Sequence, residues 1–168
     1  MDDTKKNNDI IKIDIKFDNL MNMINKNRHL VDIIKSKYVY LMNMLSTITY
    51  VKTSDFVKTV EKISENSIIY VAYVGNIEDF SFDIIGSGTI LIEQKIIHNL
   101  QSVGHVEDIV VHDKYRGNCI ATTIVNYLVE YAKGNNCYKC ILNCSSEISQ
   151  VYKKSYFKEK GTGMSIYF

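Results

Sequence analysis

The segment from His105 to Thr123 holds the residues of this 168-residue chain best suited to chemistry. A β-like run that contains Glu107 and Asp108 passes through a polar turn into a run with helical periodicity. The turn enters this helix at Arg116 to Ala121 (RGNCIA). The N-terminus of a helix has unpaired N–H groups and a positive dipole end, so the turn is suited to holding an anion such as a pyrophosphate. Its single glycine also fits an ordinary strand-to-helix turn.

The adjacent carboxylates Glu107 and Asp108 are the second candidate feature. Carboxylates can hold an amine and accept its proton. Neighbours on a regular strand point to opposite faces, so one of the two is expected on the far side of the sheet. The alternative is structural, with Asp108 capping a neighbouring helix and Glu107 solvated.

The four cysteines are expected to be thiols rather than metal ligands. Cys137 and Cys140 have CxxC spacing and Cys144 follows, but no second CxxC or histidine pair completes a zinc site. Strand-like alternation around the pair would also send its side chains to opposite faces. We therefore expect no metal. The sequence shows no secretory signal and no membrane-spanning apolar stretch, so a cytoplasmic protein without a membrane partner is expected.

The charge of the chain argues against nucleic-acid binding. Its 20 basic and 19 acidic residues give a formal net charge of +1, without the basic excess typical of such binders. The length and the 46% hydrophobic content predict one domain with a substantial core. Any anion site is therefore local. Only two of the basic residues, Arg28 and Arg116, are arginines.

Residues 1–28 are predicted to form an N-terminal extension with one extra strand. Apolar and charged residues alternate over 11–18, which predicts a half-buried strand. The Asn-rich stretch 19–27 is typical of a loop or a weak helical turn. Just beyond the extension, the apolar run 30–34 indicates another short strand.

Residues 29–168 are predicted to form the main domain. Strands are predicted over 68–74, 84–92, 105–111, 138–142 and 164–168, with a linker over 95–104. Helices are predicted over 38–45, 53–63, 120–134 and 148–155. The order βααβββαβαβ predicts an α/β domain, a mixed sheet with helices on both faces.

Residues 88–168 resemble a known family. The matching stretches keep their order and nearly their spacing: 93–98 (EQKIIH), 104–111 (GHVEDIVV), 114–117 (KYRG), 137–139 (CYK), 142–144 (LNC) and 151–157 (VYKKSYF). Together they resemble the GNAT family of N-acetyltransferases, and within it the enzymes that acetylate glucosamine 6-phosphate. The resemblance implies the acyl-CoA N-acyltransferase fold, whose twisted mixed sheet is mostly antiparallel. It also implies direct acetyl transfer from acetyl-CoA in a ternary complex, without a metal.

The resemblance implies an acetyl-CoA site on one strand and the turn that follows it. In this family the strand opens from its neighbour and binds the pantetheine arm, and the amide of Ile109 would face the oxyanion. Tyr152 corresponds to the tyrosine that protonates the departing thiolate. The implied cofactor-binding residues are Ile109, Val110, Val111, Arg116, Gly117, Asn118, Cys119, Ile120, Ala121, Thr122 and Tyr152. Cys119 replaces a family glycine, and its Cβ would crowd the phosphate unless its φ is negative.

The resemblance also implies an acceptor site for an amino sugar phosphate. The implied substrate-binding residues are Ser46, Lys95, His98, Glu107, Asp108, Tyr138, Lys139, Asn143 and Tyr167. The implied catalytic residues are Tyr152, Asp108, Glu107, Asn143 and Ile109. A homodimer is expected, because in this family the neighbouring subunit completes the sugar site.

Two acceptor-site residues differ from the family pattern. Asn143 stands in place of an aspartate and cannot take a proton at neutral pH. Tyr167 stands in place of an arginine that binds the sugar phosphate, and it offers one donor and no charge. These departures leave open an acetyltransferase for another amine. Cys119 leaves open a catalytically silent acetyl-CoA-binding module that acts through protein contacts.

Overall fold

A five-stranded sheet forms the centre of the computed structural model, which describes residues 13–167. Its strands are β1 (Lys16–Asn19), β2 (Ser67–Asn76), β3 (Ser81–Gln94), β4 (Ser102–Val111) and β5 (Cys137–Ile141). They lie side by side in chain order. Neighbouring strands are antiparallel except β4 and β5, which are parallel. The predicted mixed, mostly antiparallel sheet is confirmed.

Helical segments connect and cover the strands. They are α1 (Leu20–Lys26), α2 (Val31–Met42), α3 (Thr53–Ile63), α4 (Ile97–Leu100), α5 (Ile120–Gly134) and α6 (Ser149–Lys153). Single turns of 3-10 helix lie at Arg28–Leu30, Asp113–Tyr115 and Ser146–Ile148. The segment α4 is a distorted turn in which His98 and Asn99 have φ values of 53° and 56°. Across residues 13–167, no helix has the length and apolarity required to cross a bilayer.

Two apolar clusters place helices on both faces of the sheet, as predicted. The first cluster packs α1, α2 and α3 against one face, with Leu20, Ile34, Leu41, Phe56 and Val71 among its buried members. The second packs α5 against the other face, with Ala72, Ile85, Ile124, Leu128 and Ala132 among its buried members. Because the chain buries a core on each face, the sheet between them forms a rigid support for its exposed strand ends.

Glycines on β3 allow α5 to lie close to the sheet. A Cβ at Gly88 would lie 2.4 Å from Ile109 Cδ1 and 2.7 Å from Ile124 Cγ2. A Cβ at Gly86 would lie 2.7 Å from Ile120 Cγ2. The close approach therefore requires positions without a side chain.

Two predicted strands are wrong. Residues 30–34 lead into and begin α2, because Leu30, Ile34, Tyr38 and Leu41 repeat at helical spacing and bury one face. A short apolar run does not distinguish a strand from a buried helix. Residues 164–167 join no strand of the described sheet.

Residues 19–27, predicted as a loop or a weak helical turn, contain the helix α1, and the predicted linker 95–104 is replaced in part by regular structure. Asn19 caps α1, since its Oδ1 accepts hydrogen bonds from the N–H groups of Met21 at 2.7 Å and Asn22 at 3.3 Å. The second segment is shorter than predicted because β4 begins at Ser102.

The described part of the N-terminal extension packs onto the rest of the chain. β1 pairs with β2, so that Lys16 faces Tyr73 and Asn19 faces Tyr70. The predicted strand over 11–18 is regular only from Lys16, and its first two residues lie outside the described range. A domain boundary at residue 28 stays a prediction.

Candidate active site

The strands β4 and β5 separate halfway along β4. They are paired from Ser102 to His105, and the last pair joins His105 to Ile141. Within the described chain, residues 106–111 of β4 have no partner on β5. This edge therefore presents backbone N–H and C=O groups outside the β4–β5 ladder, and an extended ligand can bind such an edge by main-chain hydrogen bonds.

A β-bulge lies beside this open edge. Thr89 faces Glu107 and Ser87 faces Val110, so Asp108 and Ile109 together lie opposite the single residue Gly88. Asp108 has a φ of 54°, in the left-handed region. Because the bulge interrupts the alternation of side chains, the expectation that Glu107 and Asp108 point to opposite faces loses its basis.

The carboxylates of Glu107 and Asp108 lie toward the same side of the sheet. Val106 packs in the cluster under α5, so regular alternation turns Glu107 toward the α2 side. On that side, burial, together with a smaller effect of the nearby Asp108 charge, raises the pKa of the Tyr38 hydroxyl to about 12. The Tyr38 hydroxyl lies 3.4 Å from Ser87 Oγ, next to the bulge. The bulge thus brings two acidic groups toward one site.

A groove with a volume of about 990 Å³ runs between the β4 edge, β5 and the chain after α6. Its lining includes four predicted acceptor residues, Glu107, Tyr138, Lys139 and Asn143. A fifth, His98, stacks on the Tyr138 ring with centroids 4.0 Å apart. Lys139 Nζ lies 5.5 Å from the centroid of the same ring. The groove therefore gathers a carboxylate, an amide, a cation and a histidine–tyrosine stack.

Lys95 is held in an ion pair rather than left free. Its Nζ lies 2.5 Å from Glu93 Oε1, and Glu93 Oε2 lies 2.8 Å from His105 Nε2. The hydrogen bonds from Lys95 and then from His105 lower the pKa of the Glu93 carboxyl. This carboxylate is therefore shared between two donors at the edge of the groove.

Five of the nine predicted acceptor residues do not line the groove: Asp108, Lys95 and His98, described above, and Ser46 and Tyr167. Ser46 lies in the exposed turn that follows α2. Tyr167 is 92% exposed, beyond the last helix. Within one chain, the described structure does not bring either of them to the other acceptor residues.

The turn before α5 has an open geometry at the predicted pyrophosphate position. Gly117 has a φ of 84°, and Cys119, the residue before the helix, has a φ of 58°. The Cys119 side chain makes no capping hydrogen bond. The first N–H groups of the helix, at 120–122, therefore have no acceptor within the helix. The negative φ that Cys119 would need to avoid crowding a phosphate is not observed.

Arg116 lies in the same turn, and its guanidinium group already forms an ion pair. Its Nη2 lies 2.6 Å from Asp113 Oδ1, and both side chains are largely exposed. Exposed ion pairs of this kind are weak, so an anion bound at the turn can compete for the guanidinium.

Tyr152 is buried in α6, which packs against α5. Its ring meets Phe157 edge to face, with centroids 6.5 Å apart. Burial, and next the electrostatic effect of Cys144, raise the pKa of the Tyr152 hydroxyl above its usual 10.0. The group therefore keeps its proton at neutral pH, as a proton donor must.

Sequence reasoning missed Tyr38, Glu93 and His105 as members of this region. The contacts of Glu93 and His105 depend on the register between β3 and β4, where His105 faces Leu91. No residue pattern along one strand reveals such a register, whereas a Glu and a His in adjacent predicted strands are a signal worth testing.

The described residues offer no alternative metal centre. Between residues 13 and 167, no group of three or more His, Cys, Asp or Glu side chains is arranged to hold an ion. The four cysteines are free thiols. Burial raises the pKa of the Cys140 thiol to about 11, which disfavours the thiolate that binds metals.

Known proteins share both the sequence pattern and the fold. The profile of the acetyltransferase (GNAT) family matches residues 39–156. The glucosamine 6-phosphate N-acetyltransferase of Arabidopsis thaliana is 32% identical over 131 residues, 78% of this chain and 87% of that protein. Glucosamine 6-phosphate N-acetyltransferase 1 of Oryza sativa subsp. japonica is 42% identical over 85 residues, and this match covers 51% of the chain and about half (52%) of the rice protein.

A solved structure extends the similarity to the fold. The crystal structure of glucosamine-6-phosphate N-acetyltransferase from Arabidopsis thaliana matches with a TM-score of 0.76 at 27% sequence identity. The match covers 92% of this chain and 99% of the plant chain.

Proposed function

Because the chain belongs to the acetyltransferase (GNAT) family, we propose that it is a glucosamine 6-phosphate N-acetyltransferase. In this role it transfers the acetyl group of acetyl-CoA to the amine of D-glucosamine 6-phosphate, giving N-acetyl-D-glucosamine 6-phosphate for UDP-GlcNAc biosynthesis. The observation that carries the proposal is one groove in which the open edge of β4 meets the acceptor residues. Relatives named for this activity support the choice of acceptor.

The open edge of β4 is the proposed binding surface for the pantetheine arm. Backbone groups of Ile109, Val110 and Val111 would replace the missing β5 partner with hydrogen bonds to the arm. The N–H groups at 120–122 would bind the pyrophosphate, and Arg116 would add a positive charge. The exposed turn formed by Gly117, Asn118 and Cys119 leaves room for this contact.

The proposed reaction needs a binding site for the acceptor amine, a group that stabilises the oxyanion and a proton donor. Glu107 and the Asn143 carbonyl, which line the groove, and Asp108, at the bulge beside Glu107, would accept hydrogen bonds from the amine. The Ile109 N–H would stabilise the oxygen of the tetrahedral intermediate. Tyr152 would protonate the coenzyme A thiolate, because its raised pKa keeps the hydroxyl protonated. No residue of the chain is acetylated in this scheme.

The sugar phosphate is proposed to bind near the stack of His98 and Tyr138. Lys139 adds a positive charge there, and it has no ion-pair partner within residues 13–167. Lys95 would contribute once the anion competes with Glu93. The roles of Ser46 and Tyr167 require a second subunit or a rearrangement, since neither lines the groove.

A homodimer in the cytoplasm is part of the proposal. Large apolar side chains at Met164, Ile166 and Tyr167 are between 76% and 94% exposed, as expected of residues that a second copy covers. The four free thiols are typical of a reducing compartment.

Thiol release from acetyl-CoA, measured with glucosamine 6-phosphate and a panel of other amines, tests the proposed function. Turnover with glucosamine 6-phosphate supports it, and turnover only with other amines assigns a different acceptor. Cofactor binding without any turnover identifies a silent binding module. The variant Glu107→Gln is expected to lose most activity, whereas Glu61→Gln, on the exposed face of α3, is the matched control.

A further inference from the structure

A carboxylate–imidazole pair, formed by Glu93 and His105, lies where β4 and β5 separate. The proposed function gives neither residue a role. Glu93 Oε2 lies 2.8 Å from Nε2 of His105, which leaves Nδ1 of the ring without a recorded partner in the described chain. His105 belongs to the last paired position of β4 and β5, and it lines the groove. An imidazole held at one nitrogen by a carboxylate has a fixed orientation, and its other nitrogen is available for proton transfer.

The position of His105 relates it directly to the proposed amine site. His105 and Glu107 are two residues apart on the regular part of β4, so they lie on the same face, about 6.6 Å apart along the strand. One water molecule spans such a gap between hydrogen-bonding groups. The imidazole is therefore within reach of an amine held at Glu107, through a single water.

The reaction needs a proton acceptor that the assigned residues do not readily provide. An amino sugar at neutral pH carries an ammonium group, which must lose a proton before its nitrogen can attack. The Asn143 amide cannot take that proton. A carboxylate is in general a weak base at neutral pH, whereas an imidazole is the side chain best matched to take a proton there.

We propose that His105 takes the proton from the acceptor ammonium through one groove water, and that Glu93 is the positioning residue that holds the imidazole. This proposal rests on the proposed function. The proton passes from the ammonium nitrogen to water as water passes one to His105 Nδ1, which gives a neutral amine and an imidazolium. The negative charge of Glu93 stabilises this imidazolium.

The remaining protons balance in the same scheme. The amine nitrogen forms a bond to the acetyl carbon, and the bond from that carbon to sulfur breaks. Tyr152 gives its proton to the sulfur and recovers one from the nitrogen through water, as the amide forms. One proton per turnover is left on His105, which releases it to the groove and returns to the neutral state.

Four charged groups surround this step: Glu93 contacts His105, Lys95 pairs with Glu93, and Glu107 and Lys139 line the same groove. Glu93 and Lys95 lie on β3 and the turn after it, Glu107 on β4, and Lys139 on β5. Replacing Glu93 by glutamine removes the negative charge in contact with the ring and leaves Lys95 unpaired. Both changes disfavour the imidazolium form of His105, because a negative charge is lost and a positive charge is freed beside the ring.

The test measures thiol release against pH for wild type, His105→Gln and Glu93→Gln, with His29→Gln as the control on an exposed histidine. We expect His105→Gln to lower kcat about a hundredfold and to remove the acidic limb of the profile, with the KM for acetyl-CoA unchanged. Glu93→Gln should move that limb to lower pH. A kcat and pH profile for His105→Gln like those of wild type would overturn the proposal.

The outcomes separate this proposal from the proposed function. If only amines other than glucosamine 6-phosphate react and the acidic limb of the pH profile still depends on His105, the role of His105 as the base is supported and the substrate assignment is wrong. If the His105→Gln variant acetylates glucosamine 6-phosphate as well as wild type does, His105 is not the base and the proposed function is supported. If no amine reacts with wild type, both fall. Circular dichroism shows whether each variant is folded. NMR titration of the His105 ring shows whether Glu93 changes the protonation of that ring.

Discussion

At the scale of single residues, backbone conformation gives Cys119 a measurable strain. A left-handed conformation in a residue other than glycine costs about 1–2 kcal/mol, whereas glycine itself costs about 0.5–1 kcal/mol in lost unfolded-state freedom. Cys119 has a φ of 58° directly before α5. The strain therefore exceeds the entropic cost of the glycine that would relieve it.

We expect Cys119→Gly to raise the free energy of unfolding by about 0.5–1 kcal/mol and to tighten acetyl-CoA binding. Urea denaturation measures the first effect and calorimetric titration the second. Cys119→Ala retains the Cβ and should show neither gain. If alanine and glycine behaved alike, the sulfur rather than the backbone conformation would be responsible.

Tyr152 provides a prediction about chemistry rather than binding. Tyr152→Phe removes the proposed proton donor and keeps the ring that packs on Phe157. We expect kcat to fall at least about tenfold while the affinity for acetyl-CoA changes little. Steady-state kinetics and cofactor titration measure the two effects separately. Turnover equal to that of wild type would remove Tyr152 from the mechanism.

At the scale of elements, the contact between β3 and α5 depends on Gly88. Alanine there would meet Ile109 and Ile124 at distances below van der Waals contact. We expect Gly88→Ala to lower the free energy of unfolding by about 1–3 kcal/mol and to reduce turnover, because Ile109 must move. Denaturation and thiol release are the measurements.

Gly134→Ala is the matched control for this substitution. Gly134 ends α5, and a Cβ there has no neighbour within 4 Å. Alanine favours a helix over glycine by up to about 1 kcal/mol, so a small gain in stability is expected. A loss comparable to that of Gly88→Ala would contradict the packing explanation.

Tyr38 makes the packing of α2 on the sheet sensitive to alkaline pH. Burial raises the pKa of its hydroxyl from 10.0 to about 12. Between these values the unfolded chain loses the proton and the folded chain keeps it, so stability that is fully present below pH 10 declines by about 2–3 kcal/mol. We expect urea denaturation of Tyr38→Phe to show a smaller decline over this pH range.

The control for this measurement is Tyr50→Phe, at a tyrosine that is 82% exposed. Its stability should follow that of wild type from pH 9 to pH 12. At neutral pH, Tyr38→Phe should lose about 1 kcal/mol, because Ser87 Oγ loses its partner. An unchanged alkaline decline in Tyr38→Phe would assign that decline to other groups.

Periodicity predicted the elements whose pattern is local, and missed features that depend on pairing. The helices over 53–63 and 120–134 are confirmed because their apolar faces repeat at helical spacing. The bulge at Asp108 and the left-handed turn at 98–100 occur without glycine; Asp, Asn and His adopt this conformation more often than other residues, but their presence alone does not locate a bulge or a turn. This turn connects β3 to β4, whose register brings Glu93 to His105.

The family resemblance identified residues that the groove does bring together, because the motif lies on adjacent strands and the turns between them. It could not show that Lys95 is already paired or that Cys119 has a positive φ. Both depend on side-chain and backbone geometry that a residue motif does not specify.

At the scale of the whole molecule, the exposed apolar residues after α6 provide a test of the proposed homodimer. We expect light scattering to give twice the mass of one chain. Ile166→Glu should shift the protein toward monomer, because a charge in an apolar contact opposes association. The control Tyr50→Glu, at an exposed site elsewhere, should leave the mass unchanged. A wild-type protein that is monomeric at working concentration would contradict the homodimer.

The open edge of β4 also has a consequence for flux. Free coenzyme A has the same pantetheine arm and pyrophosphate as acetyl-CoA, so the proposed site at the strand edge and the start of α5 would bind free coenzyme A almost as well as acetyl-CoA. Tight binding at this edge therefore does not by itself favour turnover. In a cell, the ratio of acetyl-CoA to free coenzyme A, rather than the amount of either, would then set how often this edge holds acetyl-CoA.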